Sequence, residues 1–247
     1  MKRAALNGDR PEGMAFVRSR VESLLRTPGP VAGSGEWERI PPRRLVNHLL
    51  SFLFHREAWL KWRAVTALGQ VVNRMAEENL ESARNFMRRL MWSLNDESGG
   101  IGWGSAETMG EAMAVNATLA REYHCILLSY VQESGNPLEN PLLERGVLWG
   151  IGRLAEARPE LVEGCGCHLL PYLESGDPIL RGHALWALSF LNAPIPAGLL
   201  DALMEDVSEI ELYEGGELHR IQIRELAGRC SVEVRIRRGP VPGAGSA

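Results

Sequence analysis

Apolar side chains recur along most of this chain at intervals of three and four residues, the spacing that lines them up on one face of an α-helix. Met14, Val17, Val21, Leu24 and Leu25 form the first such stripe and predict a helix over 12–26. Thr27-Pro28-Gly29-Pro30-Val31-Ala32-Gly33-Ser34-Gly35 interrupts it with the composition of a flexible linker. Pro41-Pro42 then opens a helix running to about Phe54, because proline suits a helix's first turn. Trp59, Trp62, Val65, Leu68 and Val72 mark the apolar face of a helix over 57–78, and another follows over 81–93. A Gly-rich stretch at 98–104 breaks the pattern, after which helices are predicted over 105–116, 118–132, 141–157, 159–173, 178–191 and 196–206.

The tail has a different period. Glu209-Ile210-Glu211-Leu212-Tyr213 and Leu218-His219-Arg220-Ile221-Gln222-Ile223 flank Gly215-Gly216, which predicts a small β-hairpin. Helix is expected to resume over 224–230, and 239–247 has the composition of a disordered tail. The organisation expected is therefore an N-terminal helix and linker over 1–40, a helical array over 41–206, a hairpin and helix cap over 207–238, and the tail.

Within the array the chain resembles itself. Asp177-Pro178-Ile179-Leu180-Arg181-Gly182-His183-Ala184-Leu185-Trp186-Ala187-Leu188 is the clearest unit. Asp177 is placed to cap the helix, Pro178 occupies its first position, and Ala184 and Ala187 are small enough for a neighbouring helix to approach closely. The same small-x-x-small-apolar pattern occurs at Ala64, Ala67 and Leu68, and more loosely at Val147, Gly150 and Ile151. The units are separated by 83 and 37 residues, and a period of about 40 places a further, disturbed unit near Ala112 and Val115. The Asp-Pro-x-x-Arg-x-x-Ala-x-x-Ala-Leu run resembles a HEAT repeat, of the short bacterial kind named after phycobilisome lyases. Trp92-Ser93-Leu94-Asn95-Asp96-Glu97-Ser98-Gly99-Gly100-Ile101-Gly102-Trp103-Gly104 is similar to a segment of uncharacterised bacterial HEAT-repeat proteins. The resemblance, over about 40–230, implies an all-α fold: an α-solenoid of antiparallel helix pairs with a concave binding face lined by the second helix of each pair. It also implies that Arg181 is structural and pairs with a neighbouring carboxylate.

Charge sharpens this picture. Residues 1–90 hold 16 Lys+Arg against 9 Asp+Glu, residues 91–217 hold 5 against 20, and residues 218–247 hold 6 against 2. The strongly acidic middle is the wrong field for a nucleic acid and suits self-complementarity or a cationic partner. No apolar run reaches the roughly 18 residues of a membrane span, and the first ten residues lack a signal peptide's apolar core. Four cysteines in 247 residues make no disulfide framework, so a cytoplasmic location is expected.

Two segments hold candidate chemistry. Asn95, Asp96, Glu97 and Ser98 precede the Gly-rich loop, Trp103 closes it, and Glu107 and Glu111 follow at i,i+4 on one side of the next helix. They are the expected partner-binding residues. The loop lacks the strand and glycine spacing of a dinucleotide fingerprint and the Gly-Lys-Ser/Thr of a P-loop. Read structurally, it is a tight connection with glycines at positive φ and Trp103 plugging the core. Cys165, Cys167 and His168 form a compact thiol and imidazole cluster with zinc-type donors, but at a spacing tighter than structural zinc sites use. A fourth ligand would come from His124, Cys125 or Cys230. His183 is a weaker ligand candidate.

Enzymes on HEAT-like scaffolds supply the alternatives. DNA alkylation-repair glycosylases carry a Trp-x-x-x-Asp pair, which Trp92 and Asp96 match in spacing. The scaffold's metalloenzyme carries His-Glu pairs, and none of the six histidines here precedes a glutamate. Bilin lyase chemistry rests on the repeat's name alone. The sequence reading is thus a scaffold, adaptor or maturation factor that binds another protein, with no cofactor and no catalytic set.

Overall fold

The computed structural model describes residues 14–29, 31, 35–95, 102–191 and 193–238, with 14–15 and 231–238 as backbone only. Helices α1 (Met14–Arg26), α2 (Gly35–Glu38), α3 (Pro42–Phe52), α4 (Ala58–Glu78), α5 (Leu80–Leu94), α6 (Ser105–Val115), α7 (Ala117–Ser129) and α8 (Pro141–Ala157) come first. Then follow α9 (Gly166–Leu169), α10 (Pro178–Ser189), α11 (Ala197–Met204), strands β1 (Glu209–Glu214) and β2 (Glu217–Gln222), and α12 (Ile223–Arg238). The expected helices fall close to these bounds, except that α12 runs on to Arg238 beyond the expected 224–230 and that 159–173 is not one helix. The segment 159–173 is 3-10 turns at Pro159–Leu161, Glu163–Cys165 and Leu170–Glu174 around the short α9. Gly164, Gly166 and Pro171 are poor helix residues, and they break up the helix that the apolar spacing predicts.

Polar side chains start the helices. Asn79, Asn116, Asn140 and Asp177 accept backbone N–H bonds of Ser82, Leu119, Leu142 and Ile179 at 2.9–3.0 Å, at the heads of α5, α7, α8 and α10. Caps of this kind each stabilise by about 1 kcal/mol. Asn79 and Asn116 are each the single residue between two helices, so the chain passes from the second helix of one pair to the first of the next within one extended residue.

The pairs stack as an α-solenoid. Helix α4 packs on α6, α6 on α8, α8 on α10 and α10 on α12, while α3, α5 and α7 pack against this row. The repeated segments thus form one continuous row of second helices. Small residues let them approach: a Cβ added to Gly110 would lie 2.4 Å from the Cα of Gly150, and one added to Gly150 would lie 2.7 Å from the carbonyl oxygen of Ala106. The core runs along the row through Leu68, Met109, Met113, Val147, Ile151, Ala184 and Leu188, all buried. Arg63 on α4 is buried as well. Its guanidinium donates to the carbonyls of Leu25, Thr27 and Gly29 at 2.5–2.9 Å, which satisfies acceptors left over where α1 ends.

The hairpin pairs antiparallel from Glu209↔Gln222 to Glu214↔Glu217, and Gly215 and Gly216 turn it with φ of 61° and 88°. Both glycines hold the left-handed backbone that such a two-residue turn needs. As the resemblance implies, Arg181 is structural: it pairs with Asp206 at 2.7 Å, just before β1.

Candidate functional site

The hairpin lies across the row of second helices. Gly182 of α10 makes room for Ile210 of β1, since a Cβ there would meet Ile210 Cδ1 at 2.3 Å. Tyr213 stacks on Trp62 of α4, its carbonyl accepts from Trp149 Nε1 at 2.9 Å, and its hydroxyl lies 3.0 Å from Thr66 Oγ1. Trp186 Nε1 donates to Glu214 at 2.8 Å, and Arg229 of α12 holds the same carboxylate. Trp62, Trp149 and Trp186 touch in sequence at centroid distances of 4.6 and 5.8 Å. The tryptophans are thus both core and cradle. They fill the seam between repeats, while the N–H groups of Trp149 and Trp186 hold the strap above it. The hairpin thus covers part of the row of second helices.

Hollows remain beside the strap. One, of about 550 Å³, is lined by α4, α6, α8, α10, the end of α3 and Glu211 of β1. Phe54, Trp103 and Leu142 stand at its mouth and are about half exposed, with the Phe54 and Trp103 rings 6.2 Å apart. Its floor is charged. Lys61 Nζ donates to Glu107 Oε1 at 2.8 Å, and Glu107 is buried. The Glu107 carboxylate fits because Gly146 on α8 has no side chain, a Cβ there falling 2.5 Å from Oε2. Arg145 pairs with Asp177 at 2.6 Å. Its backbone carbonyl lies 2.9 Å from Nδ1 of His183. A carbonyl only accepts, so Nδ1 carries the proton. Burial, opposed by that hydrogen bond and by Glu107, pushes the His183 imidazole down to about 4, so it is neutral near pH 7. Its Nε2 is then a bare acceptor, buried and without a hydrogen-bond partner among the described residues.

A second, smaller hollow, of about 150 Å³, sits beneath the turn of the hairpin and is lined by Glu111, Arg153, Trp186 and Tyr213. Glu111 is buried and paired with Arg153 at 2.7 Å. Burial raises its carboxyl above the usual range, with Arg153 pulling the other way. Glu107 and Glu111 thus share one side of α6, as their spacing predicts, but pair with different helices: Glu107 with Lys61 of α4, Glu111 with Arg153 of α8.

The structure brings together Trp103 and Glu107 of the expected partner-binding residues. Glu111 lines the other hollow. Asn95 caps α5, bonding Met91 and Asn136 at 2.9 and 2.8 Å. Asp96, Glu97 and Ser98 lie outside the described residues, as does Asp96 as a partner for the exposed Trp92. Gly104 has φ of 76°, as a tight connection requires, yet Trp103 does not plug the core; it stands at a cleft mouth, 43% exposed. Cys165 is buried and its thiol pushed up to about 12 by that burial, whereas Cys167 is exposed. Among the described residues no three His, Cys, Asp or Glu side chains are grouped to hold a metal ion. Lys61, Arg145, Phe54 and Tyr213 escaped the sequence reading. The one available signal was that Trp149 and Trp186 repeat at the 37-residue separation of their units.

Comparison with known proteins adds fold rather than chemistry. No family model matches the chain. An uncharacterised protein of Archaeoglobus fulgidus is 29% identical over 195 residues, 76% of this chain and 94% of its own length. A computationally designed armadillo repeat protein for modular peptide recognition superposes with a TM-score of 0.50 at 14% identity, over 92% of this chain and 95% of its own. The chain is a helical repeat solenoid with a small two-stranded sheet near its C-terminus. No helix among the described residues is long and apolar enough to cross a membrane.

Proposed function

We propose that this protein is a HEAT-type interaction scaffold or adaptor that seats a segment of a protein partner in the cleft between the helix row and the hairpin. The observation that supports this most is the rim of Phe54, Trp103 and Leu142, three half-exposed apolar side chains around one charged floor. Aromatic anchors over a cleft with a few fixed polar groups are the usual make-up of a binding hot spot. The fold is shared with a protein designed for modular peptide recognition. In this reading the loop with Asn95, Asp96, Glu97 and Ser98 selects the partner, because it ends at Trp103. The four cysteines are free thiols, in keeping with a reducing, cytoplasmic setting.

The test is affinity capture of the tagged full chain from its native cells, beside a Phe54→Ala/Trp103→Ala/Leu142→Ala variant. One stoichiometric protein retained by the wild type and reduced about tenfold or more by the variant is the expected result. Equal retention by both would place the partner elsewhere and overturn the cleft's part.

A further inference from the structure

The cleft floor holds a feature that partner binding in general does not require. His183 is 4% exposed, its Nδ1 is committed to the carbonyl of Arg145, and its Nε2 has no hydrogen-bond partner among the described residues. A buried acceptor left unmade is costly, and native structures leave few of them. The group that would satisfy it must donate. Lys61 directs its ammonium to Glu107 at 2.8 Å, and neither it nor any other described side chain bonds Nε2. Above the floor Trp62, Trp103, Phe54, Leu142 and Ile179 give an apolar, largely aromatic surface, which His55, Arg56 and Glu211 interrupt. The volume of about 550 Å³ falls within the range of small-molecule and side-chain pockets.

We infer that this cleft is a subsite for an aromatic side chain ending in a single hydrogen-bond donor, a tyrosine hydroxyl or a tryptophan N–H, which donates to Nε2 of His183. The inference rests on the partner-binding reading above and names what the partner inserts. The body of the ring packs between Trp103, Phe54 and Trp62, and entry of the donor opens a path to Nε2, a buried acceptor with no hydrogen-bond partner among the described residues. The neutrality of the imidazole follows from its burial and keeps Nε2 an acceptor near pH 7. A site with a fixed buried acceptor discriminates against an analogue lacking the donor, because binding that analogue seals the acceptor away unpaired.

The test uses p-cresol and 4-fluorotoluene, which share a shape and differ in the donor. Each is titrated into the full-length protein by NMR, following the ring nitrogens of His183. The expected result is binding of p-cresol about tenfold tighter than 4-fluorotoluene, with the Nε2 resonance moving on p-cresol alone. In His183→Asn, whose side-chain amide can still donate to the Arg145 carbonyl, the preference should fall to about one. A preference near one in the wild type overturns the subsite, as does a preference that His183→Asn leaves intact. Acetyl-Gly-Tyr-Gly-amide against its Phe counterpart identifies the source. A Tyr preference lost in His183→Asn supports a side chain, and p-cresol selectivity without it overturns that part in favour of a free phenolic molecule. Failure of the rim variant to release a partner, with cresol selectivity intact, would sink the partner reading alone.

Discussion

Tyr213 of the hairpin lies flat on Trp62 of α4, ring centroids 5.2 Å apart and planes within 6° of parallel. The contact joins α4, early in the row, to the hairpin that follows α11, so it ties distant parts of the chain together. Tyr213 is buried and also bonds Thr66 and Trp149. Tyr213→Ala should destabilise the protein by about 3–5 kcal/mol in urea denaturation, as large-to-small aromatic changes do. Tyr213→Phe keeps the stack and loses only the hydroxyl bond, for about 1 kcal/mol. Amide exchange across 209–222 should rise in the Ala variant and stay near wild type in the Phe variant. Equal, small effects from both would mean that the strap is not held by this stack.

Glycine tests the packing of the row by opposite signs. Gly110 faces Gly150 so closely that any Cβ would strike backbone, which cannot move like a side chain end. Gly110→Ala should therefore lower stability by about 2 kcal/mol or more, despite the roughly 1 kcal/mol that alanine gains within a helix. Gly228 in α12 has nothing within 4 Å of an added Cβ. Gly228→Ala should raise stability by about 0.5–1 kcal/mol. The pair of melting curves checks both, and two shifts of the same sign would contradict the helix spacing.

Much of this fold was legible because helices advertise themselves locally. Asp177, Pro178, Ala184 and Ala187 announce a cap, a start and a close contact within about three turns. The hairpin was legible for the same reason, through Gly215-Gly216 between alternating strands. Its destination was not, since nothing near Tyr213 says that it will lie on Trp62. The cleft was hidden likewise: Lys61, Glu107 and His183 sit on three different helices, and only the stacking of repeats brings them together. Trp103 misled because a tryptophan in a Gly-rich loop reads as a core plug, while the fold uses it at a rim. The segment 159–173 misled because its apolar spacing is helical although Gly164, Gly166 and Pro171 resist a continuous helix.

The cysteines should divide by burial. Cys125 and Cys167 are exposed, while Cys165 and Cys230 are buried, and Cys165 is further held as a thiol by its raised pKa. Thiolates are the reactive form. Iodoacetamide on the native protein at pH 7.5, followed by peptide mass spectrometry, should label Cys125 and Cys167 and leave Cys165 and Cys230 protected until denaturant is added. Rapid labelling of Cys165 in the native state would contradict its packing.

The Glu111–Arg153 pair is a partly buried ion pair at 2.7 Å, and breaking it is costlier than replacing it. Glu111→Ala leaves the Arg153 guanidinium only Glu156 as a partner and should cost about 2 kcal/mol or more. Glu111→Leu combined with Arg153→Met removes both charges at similar volume and should recover most of that loss. Urea midpoints for the two variants decide it. A double variant no better than Glu111→Ala would mean that the pair orders the hairpin beyond its charge balance.

His183 sets an acid limit on the fold. Its imidazole is held down to about 4, mainly by burial, whereas in the unfolded chain it titrates near 6.5. Below 6.5 the unfolded chain therefore binds a proton that the folded chain refuses. A depressed pKa contributes stability that is fully present above 6.5 and lost as the pH falls towards 4. The full contribution is about 3 kcal/mol, of which most is gone by pH 4.5. Unfolding free energies at pH 7 and pH 4.5 should thus differ by about 2–3 kcal/mol more in the wild type than in His183→Asn, which has nothing to protonate there. Equal pH dependence in the two would show that the fold sets no penalty on protonating the ring, so that burial does not reserve Nε2 as an acceptor. The acid titration of stability and the donor selectivity of the cleft therefore stand on the same neutral imidazole, and each measurement constrains the other.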